Sequence, residues 1–321
     1  MMADKRAGYA EAAAQERDFD AAADVMAQAL ELQPRWTAGW ALLGKYREEA
    51  GDLAGAIAAF EQLARLDTEG VFGAGLKLAA LGMAPVPPGP EIAYVEALFD
   101  DYAARFEEEL LHKLGYDAPQ GLAALVEREL GARGMEQVGH AVDLGCGTGL
   151  MGERLRRRAS FLEGVDLSSE MVALAEGKGI YDRLEKAELT AWLGAHRGGV
   201  DLLAAADVLN YCGELTPILK VAMRVLVPGG LFVLTLERHR GEAPMLLRPS
   251  LRYAHNGEAA RQACREAGFE VRAVVETVLR HDRGEPIEGL LVLLVKPARP
   301  SELPVPRASG DDEDQTYFAV K

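Results

Sequence analysis

Cysteine is scarce and scattered in this chain of 321 residues: Cys146, Cys212 and Cys264 form neither an even disulfide set nor a Cys-x-x-Cys metal spacing. Reduced thiols in a cytoplasm are the expected state, with no bound metal. Positive charge is short as well. Lysine and arginine number 35 against 50 aspartates and glutamates, a formal net charge of -15. That balance excludes a surface that tracks a phosphate backbone, because such binding rests on clustered cations. Duplex nucleic acid is not an expected partner. No apolar run reaches the roughly 20 residues that cross a bilayer, and the start, MMADKRAGYAEAAAQERD, has no apolar core of signal-peptide length. No membrane partner is expected, and the protein reads as cytosolic. What is present, 49% hydrophobic and 26% charged residues, describes a globular chain long enough for more than one domain.

Residues 1–83 are Ala-rich and lack strand-like alternation. In WALLGKYREEAGDLAGAIAAFEQLARLD, Trp40, Leu43, Gly44, Ala56 and Phe60 stand where a tetratricopeptide repeat puts its Trp, Leu-Gly, Ala and Phe. A shift of 34 carries Asp52, Ala56, Phe60 and Leu66 onto Asp18, Ala22, Met26 and Leu32, and Thr68 onto Pro34. Small residues at Ala22 and Ala56 fit the close approach of two antiparallel helices, and VFGAGLKLAALGM supplies a capping helix. Plain amphipathic helical hairpins are the alternative reading. APVPPGP, residues 84–90, cannot continue a helix and is expected to be a semi-rigid linker. Residues 299–321, rich in Pro, Ser and acid, are expected to form a disordered tail.

The middle of the chain alternates strand and helix signals. HAVDLGCG reads as a buried strand breaking into a glycine loop, FLEGVDLS as a second strand, and Ser168 or Ser169 as the N-cap of the helix that follows. VDLLAAADVLNY and GGLFVLTLE are further strands around the helix LTPILKVAMRVL. This cadence implies a parallel sheet covered on both faces. A turn near Gly284 to Pro286 then implies a closing antiparallel strand.

Alternating glycines after a strand permit positive φ and let a ligand lie on bare backbone at the carboxyl end of the sheet. In VDLGCGTG the third glycine comes one residue too early for a dinucleotide fingerprint. Asp143 would repel a pyrophosphate and suits a ligand bearing an ammonium and a sulfonium, while Asp166 is placed to accept two ribose hydroxyls. S-adenosylmethionine satisfies both.

VDLGCGTG, GVDLS and RVLVPGGLFVLTLE resemble the signature segments of class I S-adenosylmethionine-dependent methyltransferases. YVEALFDDYAARFEEELLHKLGYDAP resembles that family's N-terminal lid. The resemblance implies an α/β fold: a Rossmann-like sheet with an antiparallel last strand over residues 91–298, with lid helices at 91–118, preceded by an all-α repeat module. With the repeats in front, the chain resembles bacterial methyltransferases that carry tetratricopeptide repeats. By this resemblance Asp143, Gly145, Cys146 and Gly147 hold the methionine end of the cofactor, Asp166 the ribose, and Leu167 and Met171 the adenine. Glu188 falls at the acid that meets the adenine amine, or is a solvated surface acid. Asp207 faces the methyl-transfer region, and Tyr102 and Phe106 close over the cofactor or belong to the core.

Methyl transfer is an in-line displacement at an activated carbon, so positioning and exclusion of water supply much of the acceleration. If the acceptor needs a base, His255 in RYAHNGEAARQA is the first candidate, with Tyr253 to orient the acceptor; the alternative is an idle loop histidine. Asn210, Tyr211 and Cys212 lie where an acceptor would enter. Arg238, His239, Arg248 and Arg252 offer cations to an anionic one, or only decorate a loop. A nucleic-acid amino-methyltransferase would show Pro-Pro after the fourth strand, where this chain has Val208-Leu209-Asn210-Tyr211. The Tyr-x-x-x-Lys pair of a short-chain dehydrogenase occurs only as Tyr317 and Lys321, in the acidic tail. The expected acceptor is a small molecule or a protein, with the repeats free to take a partner or self-associate. The competing function is a non-catalytic repeat scaffold that binds S-adenosylmethionine or a peptide.

Overall fold

The computed structural model describes residues 2–282 and 284–298, so the tail expected over 299–321, with Tyr317 and Lys321, lies outside the described residues. The N-terminal part is helical: α1 (Met2–Gln15), α2 (Phe19–Leu32), α3 (Thr37–Ala50), α4 (Leu53–Leu66) and the short α5 (Ala74–Ala80). The boundaries of α2 and α4 coincide after a shift of 34 residues. Each opens on an aspartate whose carboxylate accepts the N–H three residues on, Asp18 from Ala21 at 3.1 Å and Asp52 from Gly55 at 2.9 Å. The Phe60 ring lies against the bare backbone of Gly44, where a Cβ would come within 2.4 Å of a ring carbon. Gly51, at φ 84°, ends α3 in the left-handed conformation.

The segment expected to form a lid comprises α6 (Ile92–Tyr102), a 3-10 turn at Ala103–Arg105 and a π-helical segment at Glu108–Lys113, followed by α7 (Ala118–Ala132). Beyond it the chain alternates β1 (Val138–Leu144), α8 (Leu150–Leu155), β2 (Ala159–Asp166), α9 (Ser169–Lys178), β3 (Arg183–Lys186), α10 (Leu189–Ala195), β4 (Val200–Ala205), α11 (Thr216–Val225) and β5 (Leu226–His239). It closes with β6 (Met245–Leu247), β7 (Tyr253–Asn256), α12 (Gly257–Glu266), β8 (Glu270–Asp282) and β9 (Glu285–Val295). The main sheet runs β3-β2-β1-β4-β5-β9-β8, with β1 to β5 parallel and β9 antiparallel to both neighbours. The parallel sheet and its antiparallel last strand match the sequence reading.

Alternate residues of the central strands feed two separate cores, as a sheet buried on both faces requires. Val142, Leu144, Leu203, Phe232 and Leu234 face α10, α11 and α12. Ala141, Leu202, Leu231 and Val233 face α7 and α8. Burial of each large side chain contributes about 1.5–3 kcal/mol, which fixes the register of every strand.

One element departs from expectation. The stretch before α12, read as loop, forms β7 and the hairpin β6–β7. Over Leu231 to Glu237 one edge of β5 is taken by β9, so β7, pairing with Glu237 to His239, continues the other edge where β4 has ended. The hairpin thus stands beyond the carboxyl end of β4, at the mouth of the cleft. There Leu76 and Ala79 of α5 pack with Leu247, Leu251 and Tyr253 in one apolar cluster. The helical module is thereby joined to the sheet by buried contact as well as by the linker.

Candidate active site

The glycine loop after β1 is built on three positive φ angles, 64° at Gly145, 52° at Gly147 and 97° at Gly149. A Cβ at Gly145 would lie 2.5 Å from Cγ2 of Val208. At Gly147, which lines the cavity, a Cβ would only just touch the Phe106 ring at 3.8 Å. The N–H of Cys146 donates to the carbonyl of Val165 at 3.0 Å and ties the loop to β2.

Asp166 ends β2 beside this loop. Its Oδ2 accepts from the Gly147 N–H at 2.8 Å and its Oδ1 from the Ser168 N–H at 2.9 Å. Burial raises its pKa against the pull of those backbone donors. Ser168 is the N-cap of α9: its Oγ accepts from Met171 N–H and donates to Asp100 on α6 at 2.6 Å. Lys186 pairs with Glu96 at 2.6 Å, and Lys178 bridges Glu107 and Glu153 at 2.6 and 2.7 Å. The lid is therefore held down by polar ties on the α9 side and by aromatic contacts on its inner face. Phe99 meets Phe106 and Tyr211 edge-on at 6.4 and 5.3 Å, and Tyr102 meets Phe106 at 5.4 Å.

Beneath the lid is a cavity of about 580 Å³, within the usual range of small-molecule sites. Of the residues singled out from sequence, Gly145, Gly147, Asp166, Leu167, Met171, Glu188, Asp207, Tyr102 and Phe106 line it, and so do Tyr211, Cys212 and Arg252. The Glu188 carboxylate caps α10, accepting from Thr190 and Ala191 N–H at 2.9 and 2.6 Å.

Asp143 and Cys146 lie behind the wall instead. Asp143 Oδ2 accepts from the Tyr181 hydroxyl at 2.7 Å, and burial pushes its carboxyl up to about 7. The Cys146 side chain is buried, which raises its thiol pKa, and it does not line the cavity. Asn210 is also buried, and Arg238 pairs with Glu276 at 2.5 Å.

The two catalytic candidates require correction. Tyr253 is fully buried and its hydroxyl donates to the carbonyl of Pro87 at 2.9 Å. His255 is no loop residue: it sits in β7, 3% exposed, with Nε2 3.0 Å from the Gly213 carbonyl. Burial lowers its pKa, and it does not line the cavity. Pairing with β5 and β6 turns both side chains toward the linker and the turn after β4, a consequence of the hairpin that sequence did not reveal. The linker itself is part of the wall. Pro88, Gly89 and Pro90 line the cavity, and the Pro88 carbonyl accepts from Gly213 and Glu214 N–H at 2.8 and 3.0 Å.

Arg280, which sequence reasoning missed, lines the far side. A bulge between Val278 and Arg280 breaks the alternation of β8, so that neighbours Leu279 and Arg280 are both buried. Arg280 Nη1 is 2.5 Å from Asp207 Oδ2, and Nη2 binds Glu237. Asp207 is itself held at φ 59°, with its N–H donating to Thr235 Oγ1 at 2.7 Å.

Outside the cavity, His140, Glu163 and His196 converge within 4.8 Å. Nδ1 of His196 accepts the Gly198 N–H at 3.0 Å, which leaves the neutral ring's proton on Nε2. A metal ligand has the opposite arrangement. Glu163, 2.7 Å from His140 and 3.2 Å from Arg183, is a buried carboxylate satisfied by cationic and N–H groups.

Residues 142–234 match a family model described as a methyltransferase domain. Over 153 residues the chain is 28% identical to the ubiquinone biosynthesis O-methyltransferase of Sodalis glossinidius, covering 44% of this chain and 59% of that protein. It is 31% identical over 112 residues to the trans-aconitate 2-methyltransferase of Delftia acidovorans, covering 34% of this chain and 42% of that protein. The chain thus spans less than two thirds of the length of these curated relatives. Among solved structures, the 4+2 cyclase SpnF superimposes with a TM-score of 0.52 at 17% identity, covering 66% of this chain and 99% of that one. The magnesium protoporphyrin IX methyltransferase from Synechocystis with bound SAH gives 0.49 at 18%, covering 64% and 99%. The domain match and the strand order agree: the chain carries a methyltransferase domain with the class I, S-adenosylmethionine-dependent type of fold.

Proposed function

We propose that this protein transfers a methyl group from S-adenosylmethionine to an acceptor held in the cavity beneath the lid. The observation that carries the reading is Asp166. A carboxylate offers about four acceptor sites, and the backbone bonds from Gly147 and Ser168 leave capacity on a cavity-lining group for two vicinal hydroxyls. The bare, cavity-lining backbone at Gly147 suits the methionine end, with Leu167 and Met171 beside an adenine and Glu188 at its rim. Asp143 acts through the loop and Tyr181 rather than by contact. When bound, the cofactor supplies an electrophilic methyl group on a sulfonium.

The protein's own part is to bind, orient and exclude water. Phe99, Tyr102 and Phe106 form a dry roof, the linker closes one side, and the ion-paired Asp207 marks the floor after β4. With His255 and Tyr253 committed elsewhere, an acceptor that is already nucleophilic suits the site better than one that needs a strong base. The non-catalytic scaffold is not favoured by the domain match.

The 34-residue displacement of α2 and α4, with matching aspartate caps, supports a tetratricopeptide-like module that braces the cleft through α5 and takes a partner or a second copy. The helices end before residue 84, the linker runs from 84 to 90, and the methyltransferase unit follows to 298. Free cysteines support a cytoplasmic setting, and no helix among the described residues is long and apolar enough to cross a membrane.

Calorimetric titration of S-adenosylmethionine and S-adenosylhomocysteine into wild type and Asp166→Ala, with NADH as control, tests the reading. Binding of both ligands, lost in the variant and absent for NADH, is expected. Folded wild-type protein that binds neither overturns it.

A further inference from the structure

Three guanidiniums gather at the acceptor side of the cavity. Arg248, Arg252 and Arg280 converge on Glu237, at 3.3 Å and 3.9 Å for the first two and in direct contact for the third; Arg280 also pairs with Asp207, and Arg248 also lies within the electrostatic reach of Glu288. Arg280 is spoken for by its two acids. Arg248 donates to the Arg238 carbonyl at 2.7 Å and does not line the cavity. Arg252 is different: it lines the cavity, and its Nε donates to the Tyr211 hydroxyl at 3.0 Å. Its Nη1 is only loosely placed against Glu237, and among the described residues neither Nη1 nor Nη2 makes a hydrogen bond. The guanidinium also lies 5.6 Å from the Tyr211 ring centroid, and that ring stacks edge-on with Phe99 of the lid. A pinned cation with free paired donors therefore sits at the end of an aromatic slot.

We propose that the methyl acceptor is an aromatic or extended apolar acid, whose anionic group is held by the free Nη1 and Nη2 donors of Arg252 while its body lies between Phe99, Phe106 and Tyr211. The planar fork of arginine matches a carboxylate with two parallel hydrogen bonds. Desolvation under the lid strengthens that contact. A neutral acceptor of the same shape leaves those donors unpaired and buried. Glu214, another acid that lines the cavity, is exposed at its rim. The inference rests on the methyltransferase reading in assigning the Asp166 half of the cavity to the cofactor.

The test compares two isosteric probes, 1-naphthoate and 1-naphthamide, titrated into the full chain saturated with S-adenosylhomocysteine. Wild type is expected to bind naphthoate at least about tenfold more tightly than naphthamide, the effect of one charge-assisted pair. Arg252→Gln is expected to erase the preference and Arg252→Lys to restore part of it, with S-adenosylhomocysteine affinity within about twofold of wild type in both. Arg240→Gln, at an exposed ion pair with Glu288, serves as the control and keeps the preference. Equal binding of the two probes, binding of neither, or a preference that survives in Arg252→Gln overturns the proposal. Failure of S-adenosylhomocysteine to bind is a separate result that counts against the methyltransferase reading; the probes are then compared without it, and the same outcomes decide.

Discussion

The Tyr253 hydroxyl donates to the carbonyl of Pro87, 2.9 Å away and 166 positions earlier in the chain. That bond fastens the linker to the hairpin and makes residues 88–90 a wall of the cavity rather than a tether. Tyr253→Phe removes one hydrogen bond, worth about 1 kcal/mol net, and leaves the cofactor residues untouched. The expected outcome is a fall of a few degrees in Tm, faster amide exchange at Gly213 and Glu214, and a raised KM for the acceptor with unchanged S-adenosylhomocysteine affinity. Unchanged exchange would show that the linker holds without Tyr253.

Arg280 is the buried partner of two acids. Its replacement by methionine strands Asp207, while Glu237 keeps Arg248 and Arg252 at 3.3 and 3.9 Å, and breaking a buried pair in this way costs about 3–5 kcal/mol. Thermal unfolding of Arg280→Met is expected to begin roughly 10 °C below wild type. Adding Asp207→Asn relieves the stranded charge and restores part of the loss, so the double variant should melt above Arg280→Met.

Gly145 combines a left-handed φ of 64° with the methyls of Val208 in the place of a side chain. Gly145→Ala carries the backbone penalty of about 1–2 kcal/mol and displaces Val208 or the loop. S-adenosylhomocysteine affinity is expected to drop at least about tenfold. Val208→Ala in the same chain should recover the steric part only, and the double-mutant cycle measures that part.

Two buried groups give opposite pH signatures. Burial lifts Asp143 from 3.8 to about 7. Between those values the unfolded chain has released a proton that the folded protein still holds, so stability falls as pH rises through this window. Denaturant titrations should therefore show Asp143→Asn gaining on wild type from about pH 4 to pH 7. His255 runs the other way. Burial lowers its pKa below 6.5, so the unfolded chain takes up the proton first and stability is lost as pH falls below that value. His255→Gln should gain on wild type in acid. Flat differences over these ranges would show that the groups do not titrate as their burial implies.

Sequence made the sheet legible because its information is local. A strand running into Gly145, Gly147 and Gly149, an acid at the end of the next strand and a serine cap at Ser168 are each readable within ten residues, and all three appear side by side in the structure. The acceptor end was legible only in part: Tyr211, Cys212 and Arg252 stand out in the sequence and line the cavity, but the other contacts there are remote. Tyr253 and His255 carry no local sign that β7 will pair with β5 and aim them at Pro87 and Gly213. Arg280 enters the cavity only through a bulge, and period-two alternation gives no warning of one. An arginine directly after a buried leucine, in a strand of mixed polarity, is the one signal that was available.

The distance between Pro87 and Tyr253 also sets a schedule for synthesis. At about 5–20 residues per second, roughly 10–30 s separate the emergence of the linker from that of the tyrosine that fastens it. Through that interval the apolar face of α5, Leu76 and Ala79, has no hairpin to lean on. The N-terminal helices must persist as a partly uncovered unit while the sheet is still being made. The cavity is therefore begun before that interval and sealed after it, which makes its open half a ready client for a chaperone that binds exposed apolar helices.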